Sequence, residues 1–205
     1  TTRSDSINIS EEDAQECSNY RSYQSDYLKD KNYRRCIYCN MYMMDYNCDL
    51  SDDKVNYYNL AISFIELNQE VECGDDCGCI DLGTCADSAF WALNQGLEKN
   101  KNNQTLLELG AYMSVKTDNI IQAIYYLDKV ISFNEGNPRA LEQLSDLYAK
   151  EERYEEQIEI INMWIKLDID EIKFKKAIGE KKQAYQALGR ETTDVDKERW
   201  ISDKS

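Results

Sequence analysis

Residues 105–133 read "TLLELGAYMSVKTDNIIQAIYYLDKVISF". Apolar residues recur at spacings of three and four on both sides of the polar turn "KTD", so the stretch predicts two amphipathic helices. A turn that short folds the second helix back along the first.

The next block follows the same plan. "ALEQLSDLYAK", the turn "EERY" and "EEQIEIINMWIKL" form a second helix pair. Leu106, Leu109, Gly110 and Met113 align with Leu141, Leu144, Ser145 and Tyr148 at a shift of 35, and Ile120, Ala123, Leu127 and Val130 align with Tyr154, Gln157, Ile161 and Trp164 at a shift of 34. A period of this length marks a stack of repeats, each too small to bury its apolar face alone. Gly110, Ala123 and Ser145 are small where helices must approach closely, and Pro138 sits where one pair gives way to the next.

The segments "LLELG", "LSDLYAKEERY" and "NPRA" resemble the tetratricopeptide repeat (TPR) family. That resemblance implies an all-α, right-handed α-solenoid of antiparallel helix pairs. Gln157 stands where the family places a small residue, and Asp168-Ile169-Asp170 lacks the terminal Pro. The repeats are therefore degenerate.

Two more divergent repeats precede these. In one, Tyr20, Tyr23 and Tyr27 line a helix face as expected repeat core, "KDKNY" turns the chain, Cys36 takes the small-residue position and Met43 follows at core spacing. In the other, "VNYYNLAISFIEL" and "SAFWALNQGLEKN" flank a cysteine-rich insertion at 66–88. The expected organisation is an extension at 1–10 and a solenoid at 11–190, with repeats at about 17–50, 54–101, 104–137 and 138–171. A final helix at 171–189 and a tail at 191–205 complete it.

Composition bounds the function. With 42% hydrophobic residues among 205, the chain can bury a substantial core, while a formal net charge of −15 repels nucleic-acid backbones and anionic membranes. No apolar run reaches the ~20 residues of a membrane span, and the first residue, Thr1, reads as that of a processed chain. Eight cysteines, Cys17, Cys36, Cys39, Cys48, Cys73, Cys77, Cys79 and Cys85, all lie in the first 85 residues. Their number and clustering suit disulfides in an oxidising compartment: the extracellular space, the cell surface or, alternatively, the periplasm.

Cys17 and Cys48 fall at the start and end of one helix pair and are predicted to bridge. Cys36 and Cys39 share a helix face, with their partners open. The spacing C-x3-C-x-C-x5-C from Cys73 to Cys85 fits zinc poorly, and Asp75, Asp76 and Asp81 match no calcium loop, so neither metal nor cofactor is expected. Without histidine, and without a nucleophile elbow or a phosphate-binding glycine loop, no catalytic residue can be nominated. Asn8 and Asn103 head N-glycosylation triplets, and Ser6 and Ser88 sit in a Ser-centred pattern resembling a bacterial O-glycosylation acceptor.

The ends differ in charge. Glu11, Glu12, Asp13 and Glu16 crowd the first helix, whereas Lys173, Lys175, Lys176, Lys181, Lys182 and Arg190 mark the last. Opposite charge at opposite ends predicts head-to-tail contact, and such a contact repeats into a filament when it does not close. The expected function is thus non-catalytic: an exported scaffold contacting protein, chiefly itself, and carrying covalent glycans. A monomeric adaptor binding a peptide on its concave face is the alternative.

Overall fold

The computed structural model describes residues 11–45, 48, 53–70, 85–167 and 169–195. Their regular elements are α1 (Glu11–Lys29), α2 (Tyr33–Asp45), α3 (Asp53–Glu70), α4 (Cys85–Lys99), α5 (Gln104–Lys116), α6 (Ile120–Phe133), α7 (Pro138–Lys150), α8 (Tyr154–Trp164) and α9 (Glu171–Ala187). Two compact units, Thr1–Leu109 and Gly110–Ser205, meet within α5. In the first, α1 packs on α2, α2 on α3 and α3 on α4; in the second, α6 packs on α7, α7 on α8 and α8 on α9.

Side-chain caps set where the helices begin. Asn103 Oδ1 accepts from Leu106 N at 3.2 Å, Asn119 Oδ1 from Gln122 N at 3.1 Å, and Asp170 Oδ1 from Lys173 N at 2.9 Å. Asn137 Oδ1 caps both Arg139 N and Ala140 N, with Pro138 at the first helical position, where its missing N–H costs nothing. Each such cap contributes about 1 kcal/mol.

One backbone device closes three of the helix pairs. Lys31, Asp118 and Glu152 adopt left-handed φ values of 58°, 56° and 57°, each two residues after a lysine that ends a helix. The following amide returns to the helix just ended: Asn32 N donates to Tyr27 O, Asn119 N to Ser114 O and Arg153 N to Tyr148 O, at 2.7–2.9 Å. This is the Schellman closure. It recurs after α9 with Gly189, φ 66°, and Arg190 N donating to Tyr185 O at 2.8 Å. Three of the four turns therefore use a residue with a side chain where glycine is cheapest, and a search for glycine misses them.

The cores differ in character. In the second unit, Leu127, Val130, Leu141, Leu144, Ile161, Trp164, Ala177 and Ala184 are buried. In the first, Leu60, Ala61, Phe64, Ile65, Ala89, Ala92 and Leu93 fill the α3–α4 pair. A Cβ on Gly96 of α4 would lie 2.8 Å from Leu106 Cδ1 and 3.0 Å from Tyr57 Cβ, so a side chain there would overpack.

Between α1, α2 and α3 the interior is polar. Gln24 Nε2 donates to Asn40 Oδ1, Asn59 Nδ2 donates to Gln24 Oε1 at 3.1 Å, Asn40 Nδ2 donates to Cys36 O at 2.9 Å, and Ser63 Oγ donates to Asn59 O at 2.6 Å. All five residues are buried. An unpaired buried amide would cost about 1–3 kcal/mol, so this ladder fixes the register of three helices. It also displaces the tyrosines expected there as core: Tyr23 is 50% exposed, and Tyr20 and Tyr27 are only half-buried.

A disulfide joins Cys17 of α1 to Cys48, with Cα atoms 5.6 Å apart across a separation of 31 residues. Met43 packs against it and Tyr20 flanks it. Replacing both cysteines by serine is expected to lower stability in urea by about 3–4 kcal/mol on the chain-entropy model; an unchanged midpoint would show that the bridge adds no constraint. At Glu152, relief of a left-handed penalty of roughly 1–2 kcal/mol outweighs the ~0.4–1 kcal/mol of added unfolded-state entropy. Glu152→Gly is therefore expected to raise the thermal midpoint, and a fall would contradict that account of the turn.

Candidate protein-interaction site

The second unit carries a groove of about 170 Å³. Ala111, Tyr112 and Val115 of α5 form one wall, Gln143, Asp146, Leu147 and Lys150 of α7 form the other, and Leu127 of α6 lies between them. Adding 35 to Ala111, Tyr112 and Val115 gives Asp146, Leu147 and Lys150. The same face of the first helix in two successive pairs thus builds both walls. That shift was available in the sequence, but core spacing hides it, because the α7 wall sets Leu147 between the charged Asp146 and Lys150.

The groove's chemistry is mixed. Val115 is 44% exposed, Leu147 is buried in the wall, and Lys116 Nζ stands 5.3 Å above the Tyr112 ring. Gln143, Asp146 and Lys150 are exposed along the other wall. An extended chain laid there would find the exposed Val115 on one wall and the charges of Asp146 and Lys150 on the other.

Behind α7, the tyrosine and acid side chains are structural. Tyr148 is pushed up to about 12 by burial and by the Asp128 carboxylate; burial also raises Asp128, although the Tyr148 hydroxyl opposes it. Arg153 covers the Tyr148 ring at 4.7 Å and pairs with Glu156 at 2.8 Å.

Several of the cationic residues of the last helix are engaged within their own unit. Lys176 Nζ lies 2.7 Å from Glu142, 3.5 Å from Glu180 and 3.7 Å from Asp146, and 5.7 Å from the centre of the buried Trp164 ring. Burial lowers its pKa, but the hydrogen bond to Glu142 and the charges of Asp146 and Glu180 more than offset this and leave it raised. Glu180 is itself raised by burial, against the hydrogen bond it accepts from Ser145 Oγ at 2.6 Å. Gln157, at the position where a small residue was expected, donates to the same Ser145 oxygen at 3.4 Å.

Arg190 grips Glu155 through two hydrogen bonds, at 2.6 and 2.9 Å, and Lys175 pairs with Glu171 at 2.6 Å. Lys181 is buried, Lys182 half-buried and Lys173 exposed. At the other end, Glu16 accepts from the Tyr42 hydroxyl. Glu11, Glu12 and Asp13 open α1, and their side chains lie outside the described residues.

The remaining sequence candidates sit as follows. Cys36 and Cys39 are free and buried; burial raises Cys36, and burial with the Cys36 charge pushes Cys39 up to about 11. Thiols in that state are poor nucleophiles. Cys85 is disulfide-bonded, and Cys73, Cys77 and Cys79 lie outside the described residues. Asn103 is buried as the cap of α5 and Ser88 is fully buried, whereas Ser6 and Asn8 lie outside the described residues. Among the described residues, no group of three His, Cys, Asp or Glu side chains is placed to hold a metal, and no helix is long and apolar enough to cross a membrane.

No protein-family model matches the chain, and no curated protein matches it. Solved structures do. A crystal structure of MamA protein superposes with a TM-score of 0.65 at 13% identity, over 88% of this chain and 86% of that one. A structure described as MamA AMB-1 gives 0.63 at 16% identity, over 86% and 84%. A tetratricopeptide repeat protein from Parabacteroides merdae gives 0.64 at 11% identity, over 90% and 68%. At these identities the likeness shows the fold, which is all-α and TPR-like.

Proposed function

We propose that the chain is a non-catalytic, exported scaffold acting through protein–protein contacts, and that the α5–α7 groove receives an extended segment of a partner protein. The groove is the observation that carries this. Its walls come from the same face of two successive helix pairs, with Tyr112 and Val115 offering apolar surface on one and Lys150 offering positive charge, one turn beyond Asp146, on the other. The matching segment presents an apolar side chain beside a carboxylate. The Cys17–Cys48 bridge and the bonded Cys85 support an oxidising compartment. Ser6 and Asn8 remain the glycan acceptors of interest.

Head-to-tail assembly into a cell-surface filament is the second reading. Ile172, 81% exposed beside the exposed Lys173 at the start of α9, favours it by pairing an apolar side chain with positive charge on one helix. The pairing of Lys175, Lys176 and Arg190 with acids of their own unit leaves less charge for such a contact.

Selection of a peptide library on the protein purified without reductant tests the groove. The selected peptides are expected to carry an acid next to an apolar residue and to lose at least about tenfold in affinity, ~1.4 kcal/mol, against Val115→Glu or Lys150→Glu. Ile121→Glu, on the exposed face of α6, should leave binding unchanged. Equal binding to all three variants would remove the groove from the account.

A further inference from the structure

The last helix is fastened to α7 through an uneven set of charges. One cation, Lys176 of α9, serves three carboxylates: Glu142 at 2.7 Å and Asp146 at 3.7 Å on α7, and Glu180 on its own helix at 3.5 Å. Glu180 is the most enclosed of the three, its side chain 16% exposed against 29% for Glu142 and 53% for Asp146. It accepts the Ser145 hydroxyl of α7 at 2.6 Å, and Gln157 of α8 donates to that same hydroxyl oxygen at 3.4 Å. The charges about Glu180 are thus Lys176 from α9, Asp146 from α7 and, through the shared lysine, Glu142; the group that α8 brings is the neutral amide of Gln157.

Three carboxylates about one ammonium leave like charges uncompensated in a site partly closed to water. One carboxyl in such a site takes up a proton more readily than it would in water. Enclosure singles out Glu180, because desolvation weighs most on the least exposed group. A serine hydroxyl accepts as well as donates, so the Ser145 contact between the two helices survives protonation, whereas the repulsion from Asp146 is removed.

We infer that the α7–α9 contact is a proton-linked latch, in which Glu180 takes up a proton in mild acid and α9 then closes more tightly over α7 and α8. Burial raises the Glu180 carboxyl from its ordinary value and Asp146 acts in the same direction, against the Ser145 hydrogen bond and the Lys176 charge. A carboxyl raised in the folded state contributes its full stabilisation below the unfolded value, about 4.3, and loses it as pH rises through the folded value. At neutral pH α9 is therefore held less firmly, and Phe174, Ala177 and Ala184 are the buried side chains that its opening uncovers. The latch concerns how α9 is held and stands whether or not a partner fills the α5–α7 groove.

Amide hydrogen exchange of the full chain at about pH 5 and about pH 7.5, corrected for the intrinsic exchange rate, tests this, since both values lie above the unfolded carboxyl. Protection in α9 is expected to rise at least about twofold on acidification. Glu180→Gln removes the charge and keeps an oxygen for Ser145; it should show the higher protection already at the neutral value and no further rise. Lys176→Gln removes the cation that opposes protonation, so the rise should steepen. Glu159→Gln, exposed on α8, removes one charge elsewhere and should leave the response of the unaltered chain in place. An unchanged helical spectrum verifies the folding of each variant. Protection in α9 that stays flat or falls on acidification, a rise that Glu180→Gln retains, or a response flattened by Lys176→Gln or Glu159→Gln would each overturn the inference.

Discussion

Everything in this chain depends on the join between one helix pair and the next, because no pair of amphipathic helices this short can bury its apolar face alone. The joins recur at a near-constant interval. Gln24 bonds to Asn59 and Ser145 to Glu180 at a separation of 35, Glu155 to Arg190 at 35, and Glu142 to Lys176 at 34. The first of these is a buried amide contact, whereas the others are wholly or partly ionic and lie nearer the surface. The same period thus serves two chemistries, a buried amide ladder between α1, α2 and α3 in the first unit and hydrogen bonds to carboxylates in the second.

The fold class was legible in the sequence where the chain is least ambiguous. The spacings in 105–133 and their return 34 to 35 residues later specify helix pairs before any contact is known. What stayed hidden follows from physics that periodicity does not encode. Tyr20, Tyr23 and Tyr27 satisfy core spacing, yet Gln24 is the residue that turns inward, because Asn40 and Asn59 supply its hydrogen bonds. Lys31, Asp118 and Glu152 occupy glycine's conformation without being glycine. The groove wall at Asp146, Leu147 and Lys150 alternates in polarity, so apolar counting passes over it.

Charge shows the same distinction between composition and placement. A list of basic residues marks α9 as a free positive end, but Lys176 and Arg190 are bound to Glu142 and Glu155 within the unit. A charge whose partner lies on its own chain steadies the fold before it can serve a contact with another. Asn103 and Ser88 make the parallel point for modification, since a sequon in a buried cap serves the helix first.

The account's central claim is that a partner segment lies along the first helices of two successive pairs, and its most direct test is amide chemical-shift mapping. Isotope-labelled protein would be titrated with a selected peptide, and the perturbed residues located on the fold. The account predicts that the largest shifts cluster at Tyr112, Val115, Gln143 and Lys150, on both walls of the groove. Shifts concentrated instead on the exposed faces of α6 and α8, with α5 and α7 silent, would contradict it.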